Sequence, residues 1–150
     1  MFNNKNILIT GGAGFIGLNL LKKLLKETNS LIFNIDKLTY ASNLNGLKEI
    51  VGSNKRYKHF KTDLADYKEL EKVIEQSDPD IIFHLAAESH VDRSIINPEI
   101  FIKSNILGTF NLLQASKLHW EKLNSKRKKS FKFHHISTDE VFGTLLKNGK

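Results

Sequence analysis

A glycine-rich turn directly after an apolar run is the feature that most restricts the fold of this chain. Residues Asn6 to Thr10 are typical of a buried β-strand, and glycines follow at positions 11, 12, 14 and 17. An amphipathic helix is predicted from about Phe15 to Glu27. Glycines at 11, 14 and 17 permit a tight turn and close packing of helix against sheet. The pattern predicts a strand, turn and helix unit whose helix N-terminus can face an anion.

Four further apolar runs alternate with amphipathic segments along the chain. They predict strands at Leu31–Asp36, Tyr57–Thr62, Ile81–Ala87 and Phe131–Ser137. One helix is predicted at Leu44–Ile50 and another from Asn97-Pro98 to about Leu123. Between them, a third helix is predicted to begin after an N-cap at Asp66 and to end at the break Asp78-Pro79-Asp80. This alternation predicts an α/β fold with a Rossmann-like doubly wound parallel sheet of about five strands. Ligands of such sheets bind beyond the carboxyl ends of the strands, so residues after each strand are the functional candidates.

Composition limits the other possibilities. The chain has 150 residues, no cysteine and a net charge of +7, with its densest basic cluster at Lys126–Lys129. We interpret this cluster as a solvated loop, and no nucleic acid partner is expected because aromatic residues do not alternate with the basic ones. No apolar run is long enough to span a bilayer, and residues 1–6 do not resemble a signal peptide. A cytoplasmic protein without membrane contact and without a metal site is therefore expected.

The ends of strands two and three carry acidic residues that suit a dinucleotide. Asp36 lies about 20 residues beyond the glycines, where a carboxylate can accept hydrogen bonds from the adenosine ribose. A carboxylate there also repels the 2′-phosphate of NADP, which favours NAD as cofactor. The neighbouring Lys37 leaves that preference open. Asp63 and Leu64 can reach the adenine, although Asp63 alone could equally be a loop cap.

The ends of strands four and five complete the predicted edge. Small side chains at Ala86 and Ala87 let a cofactor lie against the backbone, or simply pack. Thr138 is followed by the adjacent carboxyl groups of Asp139 and Glu140. Two such groups with pKa values driven apart can act as acid and base in an elimination. The alternative is a polar loop with a helix cap.

Together these residues resemble the extended short-chain dehydrogenase/reductase family, whose members modify sugar nucleotides. The similarity runs over essentially the whole chain and is most specific at Asp36–Ala41, Leu85–Ile95 and His134–Gly143. The closest match is to the 4,6-dehydratases that act on dTDP-glucose. The resemblance implies NAD contacts, together with the glycine turn, at Phe15, Ile16, Asp36, Lys37, Leu38, Thr39, Asp63, Leu64, Leu85, Ala86 and Ala87. Ser104 stands where the family usually has threonine near the nicotinamide.

The resemblance also implies a nucleotide-sugar substrate and a lyase reaction. Ser89 and Thr138 would touch the sugar. Hydride would leave C4 of glucose, Glu140 would remove the acidified C5 proton, and Asp139 would protonate the departing C6 hydroxyl. Hydride would then return to C6, so that NAD is regenerated in each cycle. Alternatives are an epimerase, a decarboxylase or a dehydratase of another nucleotide sugar, a non-catalytic NAD-binding module, and, least favoured, a nucleic-acid binder.

Two parts of the family pattern are expected outside this chain. The family uses a Tyr-x-x-x-Lys pair on a helix after strand five, whereas the spacing from Tyr57 to Lys61 falls in a predicted strand and is interpreted as chance. The C-terminal substrate domain is also expected to be absent. Residues 1–150 would then be an incomplete NAD-binding Rossmann domain, inactive and marginally stable alone. The full-length family member is expected to be a homodimer through the helix Glu99–Leu123.

Overall fold

A computed structural model describes residues 2–143, except for the side chains of Glu140 and Phe142. Its strands are β1 (Asn6–Thr10), β2 (Leu31–Ile35), β3 (Tyr57–Phe60), β4 (Ile81–His84) and β5 (Lys132–His135). Its helices are α1 (Phe15–Glu27), α2 (Leu44–Val51), α3 (Tyr67–Ser77), α4 (Val91–Ile96), α5 (Pro98–Phe101), α6 (Gly108–Lys122) and α7 (Ser125–Ser130). A π-helical turn spans Ile102–Leu107 and a 3-10 turn spans Asp139–Phe142.

The strands form one five-stranded sheet in the order β3-β2-β1-β4-β5. All neighbouring strands are parallel, with Thr10 opposite both Ile35 and His84. This confirms the predicted Rossmann-like sheet. The third, fourth and fifth strands end at Phe60, His84 and His135, earlier than predicted, and residues that follow the third and fourth strands line a cleft.

Two hydrophobic clusters cover the two faces of the sheet. Alternate residues of a strand point to opposite faces. Accordingly, Ile7 and Ile9 of β1 pack on one side with Leu21 of α1, whereas Leu8 packs on the other side with Leu112 of α6. All five side chains are fully buried, and each such burial stabilises the fold by roughly 1.5–3 kcal/mol. The covered sheet holds the carboxyl ends of its strands at one rigid edge.

The predicted long helix runs without a break in helical backbone conformation from Pro98 to Lys122, but it contains a π-helical turn that the sequence did not predict. α5 begins at Pro98, and the π-helical turn then separates it from α6. Such turns often lie at functional sites. Gly108 follows the turn, where an added Cβ would lie 3.0 Å from Cβ of Leu64. The helix therefore approaches the end of strand β3 closely. The helix α4 before it was not predicted.

The outer face of these helices exposes many large apolar side chains. Ile96 of α4 is 83% exposed, Ile106 of the π-helical turn 65% and Phe110 of α6 61%. Exposed apolar side chains grouped in this way mark interaction surfaces. None of the helices within residues 2–143 has the length and hydropathy needed to cross a membrane.

The basic cluster forms a helix rather than the predicted solvated loop. Asn124 caps α7 by accepting a hydrogen bond from the backbone N–H of Arg127. The Arg127 guanidinium donates to both carboxylate oxygens of Asp78, at 2.9 and 3.0 Å, and to Oδ1 of Asp80 at 2.9 Å. These bonds raise the pKa of Arg127. The Arg127 side chain therefore has a structural role, because it joins α7 to the turn before β4.

Candidate functional site

The glycine turn is tied to strand β2 through three successive backbone amides. The N–H of Gly11 donates to the Ile35 carbonyl at 2.8 Å. The N–H of Gly12 donates to Oδ1 of Asn34 at 3.0 Å, and the N–H of Ala13 donates to Oδ2 of Asp36 at 2.9 Å. The turn, called the glycine loop below (residues 11–14), therefore has its conformation set by β2.

Two glycines of the predicted pattern are required by close backbone contacts. Gly11 has a φ of +74°, and an added Cβ would lie 2.8 Å from Cα of Ala86. A Cβ on Gly17 would lie 2.2 Å from the carbonyl oxygen of Gly11. These contacts bring the first turn of α1 against the glycine loop and the loop against the segment after β4.

The first turn of α1 presents unpaired amides at this edge. The first N–H groups of a helix have no acceptor within the helix, and they carry partial positive charge. In α1 they belong to Phe15, Ile16 and Gly17, since Leu18 is the first residue whose N–H bonds back, to the Gly14 carbonyl at 2.9 Å. The side chains of Phe15 and Ile16 are 84% and 61% exposed. This arrangement can bind a phosphate group.

A cleft beside the glycine loop gathers most of the predicted cofactor residues. Its cavity volume is about 120 Å³, and it opens to solvent. The predicted residues that line it are Gly11, Gly14, Asp36, Lys37, Thr39, Asp63, Leu64, Leu85, Ala86, Ala87 and Ser104. Phe15, Ile16 and Gly17 lie outside the lining, on α1. Leu38 packs against the hydrophobic cluster under α1, with a positive φ of 59°.

Lys37 extends across the cleft and is surrounded by polar groups. Its Nζ donates to Oγ of Ser104 at 2.6 Å. It also lies 3.8 Å from a carboxylate oxygen of Asp63 and 3.8 Å from one of Glu88. The Glu88 side chain is 9% exposed. The positive charge of Lys37 is therefore balanced by two carboxylates of the cleft lining.

Glu88 was missed by the sequence reasoning although it lies between two predicted residues. Asn105 of the π-helical turn fixes its backbone, accepting from the Glu88 N–H at 2.8 Å and donating to the Glu88 carbonyl at 2.9 Å. The hydroxyl of Tyr40 donates to the Glu88 carboxylate at 3.3 Å, and the Arg93 guanidinium stacks 3.5 Å from the Tyr40 ring centre. The available signal was a carboxylate at the end of an apolar run.

A buried histidine supports the end of β4. Nδ1 of His84 lies 2.7 Å from Oγ1 of Thr10, which also accepts the N–H of Ala86 at 3.2 Å. Nε2 of His84 lies 2.9 Å from Oγ1 of Thr109. Burial, and secondarily the neighbouring His135, lowers the pKa of His84 to about 4. At neutral pH this ring is uncharged and holds the backbone beside the glycine loop.

The two adjacent histidines of β5 differ from expectation in their burial. The sequence predicts that His134 and His135 point to opposite faces of the sheet and that one of them is buried. Both are exposed, and the buried imidazole is instead His84, whose ring centre lies 5.0 Å from that of His135. The reason is that β5 is the edge strand, with little packed against it in the described part of the chain.

The predicted substrate and catalytic residues lie at the same edge but outside the cleft lining. Ser89 follows β4, and Thr138 and Asp139 follow β5, which pairs with β4; all three are exposed. The Glu140 side chain, to which the predicted base role belongs, is outside the described part. Tyr57 lies in β3 as expected, and burial raises its pKa, opposite to what a catalytic base requires.

The fold and the cleft define a Rossmann-type α/β domain with a ligand cleft at the carboxyl edge of its sheet. The model of the GDP-mannose 4,6 dehydratase family matches residues 8–149, and the chain belongs to this family. The resemblance to sugar-nucleotide dehydratases is thus confirmed.

Known relatives agree with this assignment. The dTDP-glucose 4,6-dehydratase of Salmonella typhimurium is 52% identical over 139 residues, which are 93% of this chain and 38% of that protein. The structure of DesIV, a dTDP-glucose 4,6-dehydratase from Streptomyces venezuelae with NAD bound, superposes with a TM-score of 0.79 at 33% identity, covering 97% of this chain and 42% of that one. A UDP-Glc/GlcNAc 4-epimerase from Campylobacter jejuni has a TM-score of 0.75 at 28% identity, covering 91% and 38%. The chain spans about two fifths of the length of the curated dehydratases it matches.

Proposed function

We propose that residues 1–150 are the NAD-binding domain of a dTDP-glucose 4,6-dehydratase. One observation carries the proposal: Gly11 and Gly14 of the glycine loop, which leads into α1, line the same cleft as Asp36, and the Asp36 carboxylate accepts the N–H of Ala13 in that loop. The amides of Phe15 and Ile16 suit a pyrophosphate. Asp36 retains lone pairs for ribose hydroxyls while it accepts from Ala13 and Leu38. The dehydratase assignment rests on the relatives.

The charges of the cleft favour NAD over NADP. Asp36 would repel a 2′-phosphate. Lys37, the residue that left the preference open, donates to Ser104 and lies near Asp63 and Glu88, so it is not free to compensate a phosphate. Asp63 and Leu64 line the cleft where the adenine is proposed to lie.

The chemistry follows from the acidic pair after β5. Bound NAD would supply the acceptor and the donor of hydride. Asp139 is proposed to hold the proton that the departing C6 hydroxyl takes, and Glu140 to accept the C5 proton. Thr138 and Ser89 would orient the sugar. Thr138 and Asp139 are exposed in the described part of the chain, so these roles require the substrate to cover them.

The first test measures cofactor binding by the 150-residue chain. We expect NAD to bind and NADP to bind at least about tenfold more weakly. Asp36→Asn should weaken NAD binding about tenfold, because a hydrogen bond to a charged acceptor is stronger than one to a neutral amide by roughly 1.4 kcal/mol. Titration calorimetry gives both values. The control Asp66→Asn changes a carboxylate that caps α3 outside the cleft, and equal effects of the two variants would contradict the proposed site.

The second test asks for dehydration. A chimera places residues 1–143 of this chain before the remaining part of the Salmonella enzyme. We expect it to convert dTDP-glucose into a 4-keto-6-deoxy sugar nucleotide, and Asp139→Asn to reduce the rate by about 10²-fold or more, as is typical for loss of a general acid. A C4 epimer as product would instead support the epimerase alternative. The 150-residue chain alone is expected to give no product.

The exposed apolar face of α4 to α6 is proposed as the dimer interface of the longer protein. Ile106 and Phe110 are one helical turn apart and strongly exposed, as an interface helix requires. We expect Phe110→Glu to convert a dimeric chimera into monomers in sedimentation experiments. Lys117→Glu, which alters an exposed charge on the same helix, should leave the dimer intact.

A further inference from the structure

We propose that Asn34 is a positioning residue for cofactor binding, acting through the backbone of Gly12. The inference rests on the proposed function, since it concerns the loop that would face the pyrophosphate. Asn34 is fully buried in β2 and does not line the cleft. It can therefore influence a bound cofactor only through the groups to which it is hydrogen-bonded.

The glycine loop sits directly on the Asn34 carboxamide. Oδ1 of Asn34 accepts the Gly12 N–H at 3.0 Å. A Cβ added to Gly12 would lie 2.2 Å from the same oxygen. The side chain of Asn34 thus occupies the space that any larger residue at position 12 would need, and it sets the height of the loop above β2.

Of the three groups at the end of β2 that hold the loop, the Asn34 carboxamide is the one side-chain group that does not line the cleft. The Ile35 carbonyl, which holds Gly11, belongs to the backbone and would be present with any side chain. Asp36, which holds Ala13, also faces the cleft and is a proposed ligand. Substitution of Asn34 therefore changes the position of the loop without removing a ligand contact.

Strand β3 fixes which end of the carboxamide faces the loop. Nδ2 of Asn34 donates to the Tyr57 hydroxyl oxygen at 3.1 Å and lies 3.2 Å from Nδ1 of His59. With both partners beside the NH₂ group, Oδ1 must point to Gly12. A reversed amide would set two donors against each other at Gly12 and leave Tyr57 and His59 without this donor. The polar chain from β3 through Asn34 to Gly12 therefore specifies one loop position.

The test combines amide exchange with cofactor affinity in the full chain. In Asn34→Leu, which is apolar and similar in size, we expect the Gly12 amide to exchange at least about tenfold faster, while the Gly11 amide changes little. The dissociation constant of NAD, measured on folded protein, should rise at least about tenfold. Tyr57→Phe is the matched control: it removes one partner of Asn34 but keeps the bond to Gly12, so its effect on NAD should be clearly smaller.

A second pair of variants covers the case in which Asn34→Leu does not fold. Gly12→Ala should weaken NAD binding, and the double variant Gly12→Ala/Asn34→Ala should bind more tightly than Gly12→Ala, because the side chain in conflict is gone. Unchanged Gly12 exchange in Asn34→Leu, equal affinity losses in Asn34→Leu and Tyr57→Phe, or no recovery in the double variant would overturn the inference. Failure of the wild-type chain to bind NAD would overturn the proposed function instead, and the Gly12 exchange result would still stand.

Discussion

Replacing Gly17 with alanine is expected to lower the free energy of unfolding by about 3 kcal/mol, the upper part of the usual range for overpacking. The added Cβ would lie 2.2 Å from the carbonyl oxygen of Gly11 and 2.6 Å from Cα of Gly12. Both are backbone atoms of a loop that is tied to β2, so neither can move aside without breaking hydrogen bonds. The cost exceeds the roughly 1 kcal/mol that alanine gains over glycine in a helix. Urea unfolding measures the change.

Gly14→Ala is the matched control for this prediction. It adds the same methyl group three residues earlier, where the nearest heavy atom outside the neighbouring residues is 3.4 Å away. Gly14 caps α1 with a φ of −78°, which alanine can adopt. We expect a change below about 1 kcal/mol, the usual size for alanine at this position. Similar losses for the two variants would show that the close contact at Gly17 is not the cause.

The second prediction is that acid weakens the fold through His84. Burial lowers its pKa to about 4 from an ordinary 6.5, so in this interval the unfolded chain binds more protons than the folded chain. The contribution of His84 to stability is complete above pH 6.5 and is lost as the pH falls toward 4. A shift of this size corresponds to about 3 kcal/mol. In the folded chain the hydroxyl groups of Thr10 and Thr109 bond an uncharged ring. Protonation would place a hydrogen on both Nδ1 and Nε2, so neither ring nitrogen could then accept a hydrogen bond.

The comparison that isolates this effect uses His84→Gln, which does not titrate. Carboxyl groups change the stability of both proteins with pH, but their contribution cancels in the difference between the two curves. We expect the wild-type free energy of unfolding to fall relative to that of the variant by about 3 kcal/mol between pH 7.5 and pH 4. Parallel curves would mean that the pKa of His84 is the same in the folded and the unfolded chain, which would contradict the prediction.

Much of the fold was predictable because its signals are local. The apolar run Asn6–Thr10, the glycines and the helix Phe15–Glu27 have the observed bounds. Apart from Ser104 in the π-helical turn, the predicted residues that line the cleft follow the carboxyl ends of parallel strands, and the sheet topology brings these ends together. Asp36 is an example: its position after β2 predicts proximity to the glycine loop, and it lies there.

The parts that could not be predicted depend on contacts between distant segments. Arg127 is separated by 49 residues from Asp78, and no local pattern pairs them. The π-helical turn lies within a segment that the sequence predicts as a single α-helix. Asn34 gave a weak signal, as a polar side chain within an apolar strand. Its partners Gly12, Tyr57 and His59 become evident only from the register of β1, β2 and β3.

The anchoring of Gly11, Gly12 and Ala13 to β2 has a consequence for how long a cofactor would stay bound. A loop held by three amides loses little conformational freedom when a ligand arrives, so binding energy is not spent on ordering it. Affinity gained in this way favours slow dissociation. The proposed reaction returns its hydride in every cycle, so it would have no need to exchange the cofactor. A rigid loop of this kind would therefore suit a prosthetic group better than a diffusing cosubstrate.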